Sequence, residues 1–521
     1  MKPTPVNRPE DRDTLLDRIA RHADLGHAAR NAALVRQIEL LTAAPGTSPA
    51  NAAGPGTPAW ASLMSLYRFV GNDKVSLSDL RDLRARAVRE SLPDGAEVLI
   101  AHDVTLLDYS RHNRKRDRRP IGDHGGMGYE YFPCVAIDPA TKTVLGVVHD
   151  TVVDADGPDD RDVMDYDADP LFRHFSRAEK KRLAENHRHQ LAVHVRGLGL
   201  LLSGLHVTHV ADREFDDHFD MDACLQAGHD FVFRCLGNRN VQIAEQPWIP
   251  RRARTAKQAG HPLPDGWICV NLQRLVPAVA LQPYKSLPLD SRNRVVPPAS
   301  ATRTADLSIG ACAVRLYRCV KRNKRYVRPP RTLNVNMVVI RETHPPRNVT
   351  PVHWILFTSR PIQTLADLCK IATLYELRWL IEEFFHLLKS AYHIEASRLT
   401  DAAKIARLLV LLTLAATTVV QLKSTLNIPA KGPLPEPLYR QVRTAMAQLD
   451  NPRLDPNLRL FALIVGLGGW IGRRNDPIGP TVLMRGQLKL LAIAHAFHHL
   501  RPALDDLLAS PHPLLGRILR V

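Results

Sequence analysis

The sequence predicts an α/β protein, with strands and helices mixed in one central sheet domain and helical segments at both ends. Three observations predict it. Short apolar runs bounded by polar residues recur from Glu97 onward, helical periodicity fills the gaps between them, and both ends of the chain keep helical texture.

Residues up to Leu92 read as helices broken by the linker APGTSPANAAGPGTPA, Ala44 to Ala59. EVLIAHD, from Glu97, is a short buried strand, and YFPCVAI with TKTVLGVVHD reads as a hairpin turned at Asp138-Pro139. A helical stretch, roughly Ser176 to Leu201, leads into the strand LHVTHVAD, and DFVFRCL follows after another helix. From about Gly237 to Thr350 the texture turns Pro-rich, basic and β-like, with NVNMVVIRE its clearest strand. HWILFTSRP is a further strand, and residues beyond Thr400 are mostly helical, ending in LKLLAIAHAFHHLRPAL. The expected layout is a helical segment 1–92, a sheet domain 93–236 and 351–400, a β-rich insertion 237–350 and a helical segment 401–521.

Composition narrows the function classes. Lys and Arg number 70 against 53 Asp and Glu, a net charge of +17, which points to a polyanionic partner, nucleic acid before membrane. The seven cysteines lie far apart with no CxxC spacing, so neither a zinc knuckle nor a disulfide framework is indicated, and reduced thiols in the cytoplasm fit best. The N-terminus has no apolar stretch of signal-peptide type. The most apolar run, Leu408 to Val420, is too short to span a bilayer and reads as a buried core helix.

The run YELRWLIEEFFHLLKSAYHIEASRL, Tyr375 to Leu399, has no Pro or Gly near its start and reads as a helix. At roughly 100° per residue, Arg378 lies near ~300° from Tyr375, Lys389 near ~320° and Glu382 near ~340°, whereas Glu383 falls near ~80°. A phenol, a guanidinium, a carboxylate and an ammonium thus share one arc, with Leu377, Leu380, Ile381 and Phe384 opposite. Taken alone, this stripe reads more readily as a solvated face with an ordinary i, i+4 pair.

Two strands change that balance, because each ends in aspartate: Asp103 after EVLIAH and Asp212 after LHVTHVA. Carboxyl ends of central strands form open crevices, although strand-end aspartates also cap loops. Three convergent carboxylates repel one another unless hard cations neutralise them, which suits Mg²⁺ or Mn²⁺. A pair of such ions is the recurring solution for phosphodiester cleavage and transfer.

Tyr375-x2-Arg378-x3-Glu382-x6-Lys389 resembles the signature of bacterial cut-and-paste DDE transposases of the insertion-sequence-four lineage, the group of the Tn-five transposase. DVTLLDY at Asp103 and ADREFDD at Asp212 resemble that family's two Asp motifs, in its order. FVFR, HWILFTSRP, the N-terminal HAARNAALV and LYRFVGND, and the C-terminal GGWIGRRNDPIGPTVLMRG extend the resemblance over most of the chain. The resemblance implies an RNase H-like catalytic domain interrupted by the insertion, an end-binding N-terminal domain and a dimerising C-terminal one.

It also implies roles. Asp103, Asp212 and Glu382 would be the metal ligands, ahead of the rival carboxylates Asp108, Asp216 and Asp217. Arg378 and Lys389 would hold terminal phosphates, Tyr375 a phosphate beside an extruded base, and Trp354 would stack on that base. Arg234 and Arg398 are further DNA contacts, and Arg30 is a candidate reader of the transposon end. The expected partners are double-stranded DNA, both terminal inverted repeats and target, and a second copy of the chain, with no membrane. The alternative is an inactive transposase-derived DNA-binding protein or repressor. The histidine-rich run HRHQLAVH, His187 to His194, lacks a partner motif and reads as structural on a polar helix.

Overall fold

The computed structural model describes residues 14–43, 58–159, 187–255, 263–289, 303–347, 349–424 and 436–493, with a few short breaks inside those spans. The linker 44–57, most of 160–186 and the C-terminal 494–521 lie outside the described residues, and with them most of 177–186 in the expected helical stretch and most of the terminal run LKLLAIAHAFHHLRPAL; Ser176 itself is described, exposed and not helical.

Four helices come first, Leu15–His22, Ala28–Ala43, Pro58–Val70 and Leu77–Arg89. Sequence explains their starts: Thr14 caps the first through a reciprocal capping box with Asp17, and the Ser76 hydroxyl accepts from the Asp79 N–H.

The sheet begins with β1 (Glu97–His102), the short β2 (Thr105–Asp108) and β3 (Arg119–Ile121), the long hairpin β4 (Gly126–Asp138) and β5 (Thr143–Asp154), and β6 (Gly157–Pro158). After the helix His187–Leu198 come β7 (His206–Ala211), the helix His218–Gln226 and β8 (Asp230–Arg234). The expected insertion supplies β9 (Asn240–Ala244), β10 (Trp267–Asn271), β11 (Gln282–Leu289), β12 (Arg303–Leu316), the separate small hairpin β13 (Val320–Arg322) and β14 (Arg325–Val327), and β15 (Leu333–Glu342). β16 (His353–Thr358) completes the set.

One sheet of 14 strands results, ordered β10-β9-β12-β15-β16-β8-β7-β1-β4-β5-β6, with β11 on β12 and both β2 and β3 on β4. It is mostly antiparallel; β1 with β7 and β7 with β8 run parallel. The strands of 237–350 therefore extend the central sheet through continuous hydrogen bonding of β15 to β16, where the sequence suggested a segment set into it.

Both faces of the sheet are buried, so its central strands are apolar on both sides. Leu99 and Ala101 of β1, Val210 of β7, Val232 of β8 and Leu356 of β16 share one core with the helices Leu365–Leu377, Trp379–His386 and Ala402–Ser424. On the opposite face, Ala211, Phe231, Phe233 and Phe357 pack with Leu191 and Val195 of the helix His187–Leu198. The period-2 alternation of side chains thus decides which face each strand-end residue serves.

The helix Ala402–Ser424 is 23 residues long, beyond the apolar run Leu408 to Val420 that announced it. Its length and apolar character reach what a bilayer crossing needs, so the expectation that it is too short is corrected. Ile405, Leu408, Leu409, Leu412 and Val419 are nonetheless buried against the first-face core. Arg84, 1% exposed, fastens this helix to the sheet by donating to Thr413 Oγ1 and to Asp150 Oδ2, each at 3.0 Å. Arg81 adds a 2.6 Å pair to the same carboxylate.

Candidate active site

Four neighbouring strands bring the site together at one sheet edge. β1 and β7 run parallel with His102 opposite Ala211, so the next residues, Asp103 and Asp212, emerge side by side. β7 and β8 pair Ala211 with Phe233, which sets Arg234 beside Asp212 in turn. β16 places Leu356 opposite Arg234, and Trp354 lies two residues further along it. Asp103, Asp212, Arg234 and Trp354 all share the parity of first-face residues and so approach the helical layer that carries Tyr375 and Glu382.

That layer is not the single helix expected from 375 to 399. A capping box between Thr364 and Asp367 starts the helix Leu365–Leu377, which closes with Arg378 at its C-terminal cap. A second helix, Trp379–His386, runs into a π-helical turn, Leu387–Ala391, and His393 then adopts φ 47°. The widened turn overrides the regular 100° step past His386. Within that turn, the Lys389 ammonium donates to the Leu106 carbonyl and lies 3.6 Å from Glu395.

Arg378 is the hub. It is 6% exposed, its Nη1 donates to Asp103 Oδ2 at 2.6 Å and its Nη2 to Glu382 Oε1 at 2.9 Å. The guanidinium thereby bridges a carboxylate on the sheet and one on the helix. Burial pulls the pKa of Arg378 down, but the charges of Asp103, Tyr375, Glu382 and Asp212 more than offset it and raise it above the usual value. Asp103 moves up to about 6: burial is the largest cause, the negative charges of Asp212 and Glu382 add to it, and Arg378 with the Val104 N–H opposes it.

Tyr375 and Glu382 differ sharply in exposure despite sharing the arc. Tyr375 is 1% exposed, packed edge-on to Trp354 with ring centroids 5.5 Å apart and an interplanar angle of 61°. Burial raises its phenol pKa, while Arg378 and a hydrogen-bonded Arg234 draw it back. Glu382 leaves 43% of its side chain exposed, Lys389 31%. Arg234 Nη2 also donates to the His353 carbonyl at 3.4 Å, and with Arg213, Arg341 and His353 it lines a basic hollow of about 360 Å³.

The remaining candidates lie apart. Arg398 is exposed and its backbone N–H donates to the Tyr67 hydroxyl at 3.1 Å. Arg30 sits near the start of the helix Ala28–Ala43. The rival carboxylates have structural work: Asp108 accepts from the Ser110 N–H and hydroxyl, Asp216 pairs with Arg239 at 3.0 Å, and Asp217 caps the helix His218–Gln226.

The donor set fits hard divalent cations. Asp103, Asp212 and Glu382 offer only oxygen, and the charges of Asp212 and Glu382, which add to burial in raising the Asp103 pKa, are ones a cation would offset. The Arg378 guanidinium already occupies a cationic position between two of the three.

Sequence reasoning missed a buried polar network on the other face of the same strands. His102, next to Asp103, shares parity with Ile100 and therefore turns the opposite way. Its Nε2 lies 2.8 Å from His209 Nδ1, and His209 Nε2 lies 2.9 Å from His229 Nδ1. Its Nδ1 lies 3.5 Å from Cys134 Sγ, which is 3.1 Å from His194 Nδ1, and His194 Nε2 is 2.6 Å from Thr151 Oγ1. Burial holds His102 neutral, with its pKa near 3, and lowers His209 as well. The helix that carries HRHQLAVH is thus not polar as expected: Gln190 to Val195 are all buried, because it covers the second face of the sheet.

The model of the family described as Transposase DDE domain matches residues 95–418, which span every sheet strand and the Tyr375 to Lys389 helices. The piggyBac transposase, solved by cryo-EM in a synaptic complex with hairpin DNA, is similar at a TM-score of 0.33 and 11% identity, over 99% of this chain and 78% of that one. That likeness is too slight to carry an argument. The family match covers well over half of the sequence, and the chain belongs to the Transposase DDE domain family.

Proposed function

We propose that this chain is a cut-and-paste DNA transposase of the insertion-sequence-four lineage, built on an RNase H-like core and acting as a dimer on terminal inverted repeats. Membership of the DDE family implies a metal-dependent nuclease and strand-transferase activity. The observation that carries the finer reading is the register of β1 and β7, which sets Asp103 beside Asp212 on the face that Arg378 joins to Glu382.

In this reading Asp103, Asp212 and Glu382 hold two Mg²⁺ or Mn²⁺ ions. Bound there, such ions supply charge neutralisation and activation of the attacking oxygen. The chain's own cations do the positioning: Arg378 offers a planar fork to a terminal phosphate, and Lys389 and Arg234 offer further charge along the strand. Phosphate competes with Asp103 and Glu382 for Arg378, so strand binding would loosen the guanidinium's hold on the carboxylates. Trp354, half-buried against Tyr375, presents a ring on which an extruded base can stack.

The chemistry is two phosphodiester exchanges. In the first, water forms a bond to phosphorus, the bond to the 3′-oxygen breaks, and that oxygen takes a proton to become the free 3′-OH. In the second, this 3′-OH gives up its proton and bonds to a phosphorus of the opposite strand or of target DNA, whose bond to its own 3′-oxygen breaks as that oxygen takes a proton. A hairpin formed on the opposite strand is reopened by water, which restores the 3′-OH for target joining.

Supercoiled plasmid carrying the element's ends, incubated with Mg²⁺, tests the proposal. Wild type is expected to release the element and Glu382→Gln to leave the plasmid intact. Equal cleavage by both would remove Glu382 from the mechanism, and end binding without cleavage by wild type would leave the repressor reading.

A further inference from the structure

A group of metal-ligating side chains lies on the opposite face of the sheet from the carboxylates. We propose that His102 Nδ1, Cys134 Sγ and His194 Nδ1 bind a borderline divalent ion of the Zn²⁺ type, held independently of the DNA chemistry.

The three donors come from three separate elements, β1, β4 and the helix His187–Leu198, and all three residues are fully buried at 0% exposure. Their ligand atoms lie within 4.8 Å of one another, the one His/Cys/Asp/Glu group among the described residues that does so. Bond lengths of about 2.3 Å to sulfur and 2.0 Å to nitrogen at a tetrahedral angle set neighbouring ligands roughly 3.6 Å apart. The observed sulfur-to-nitrogen separations are 3.5 and 3.1 Å, so an ion would require only a small outward shift of His194.

The surrounding hydrogen bonds favour ligation over a mere packing arrangement. A ligating imidazole keeps its proton on the far nitrogen, where a partner fixes the ring. His194 turns Nε2 toward Thr151 Oγ1 and His102 turns Nε2 toward His209 Nδ1, while His209 passes its own Nε2 on to His229. Proton donation along that direction leaves both Nδ1 lone pairs aimed at the sulfur. His149, the Cα partner of Cys134 across the β4–β5 hairpin, packs its ring against His194 with centroids 4.5 Å apart, outside the three-donor group.

Selectivity follows from donor type. Two imidazoles and a thiolate suit Zn²⁺ and discriminate against Mg²⁺, whereas the all-oxygen set that begins one residue away accepts hard ions such as Mg²⁺ and Mn²⁺. Burial implies that the ion enters during folding and leaves slowly. An ion there would pin His102, and hence the peptide that aims Asp103, against β4 and the helix behind it.

The test is metal analysis of untagged protein made in zinc-supplemented medium and dialysed against Mg²⁺ buffer. Wild type and Glu382→Gln are each expected to retain ~1 zinc per chain, and Cys134→Ser and His194→Gln to retain almost none. Protein refolded with Co²⁺ alone is expected to show thiolate-to-cobalt charge-transfer absorption in wild type and Glu382→Gln and to lose it in Cys134→Ser. Circular dichroism identifies any variant that fails to fold, and wild type decides the matter without the variants. Folded wild type with neither zinc nor the cobalt band would overturn the assignment, as would zinc retained by folded Cys134→Ser. These readouts do not involve DNA, so failure here leaves the transposase reading standing, and the converse holds.

Discussion

Asp212 and Arg234 occupy adjacent positions on parallel strands, one step beyond the pairing of Ala211 with Phe233. A carboxylate and a guanidinium are therefore fixed side by side by backbone hydrogen bonds, before any side-chain contact is considered. With Asp103 on the next strand, the sheet edge carries two acids and a base in a row, facing a helical layer that adds Arg378 and Glu382.

The metal role proposed for Asp103, Asp212 and Glu382 predicts a fold that responds to hard cations. Addition of Mn²⁺ to wild type is expected to raise the melting temperature, by about 2.7 kcal/mol of stabilisation at a hundredfold excess over the dissociation constant. Asp212→Asn is expected to lose most of that shift. Differential scanning fluorimetry across a Mn²⁺ titration provides the measurement, and an equal shift in both proteins would place the ion elsewhere.

In the proposed site, Arg378 and a divalent ion would compete for the same oxygens of Asp103 and Glu382. Arg378→Met leaves half-buried Asp103 without its 2.6 Å partner and is expected to destabilise the cation-free fold by about 1–3 kcal/mol. The same variant is expected to gain more from Mn²⁺ than wild type does, since no internal cation must be displaced. A smaller gain, measured by the same melts, would contradict competition.

Asp150 carries the fold's acid sensitivity. Burial alone would raise its pKa, but Arg84 and Arg81 outweigh burial and hold it well below the ordinary carboxylate value of 3.8. A depressed carboxyl contributes stability that is present above that ordinary value and fades as the pH drops below it. Asp150→Asn is expected to cost about 3–5 kcal/mol at pH 7 by leaving buried Arg84 without its charge partner, while Arg81 keeps Asp159. The gap between wild type and variant in urea melts should narrow below about pH 4; a gap that widens on acidification would refute the pairing.

Trp354 and Tyr375 form one edge-on unit, of which Trp354 is the more exposed partner. Trp354→Ala is expected to remove a stacking surface of about 1–3 kcal/mol, slowing hairpin formation roughly tenfold or more while the first nick proceeds at its normal rate. Denaturing gels of end-labelled DNA resolve the two steps. An unchanged hairpin rate would return Trp354 to the core.

The strands were legible because each is an apolar run that ends abruptly in a charge: EVLIAH at Asp103, HVTHVA at Asp212. Their adjacency was not, since register depends on long-range pairing that no local pattern encodes. The merger of 237–350 with the central sheet was hidden for the same reason. His194 belongs to HRHQLAVH, which has no metal-type partner along the chain; His102 and Cys134 meet it only across the sheet. Tyr375 was placed on a polar arc by its angle alone. Its burial follows from Trp354, 21 positions earlier in sequence, closing over it from β16.

The most direct test of the account is a crystal of this protein soaked in Mn²⁺ and measured at the manganese absorption edge. An anomalous peak within bonding distance of Asp103 and Asp212, with Glu382 turned toward it and Arg378 displaced, is the expected result. Manganese bound elsewhere, with Arg378 still bridging Asp103 and Glu382 in protein that cleaves DNA, would contradict it.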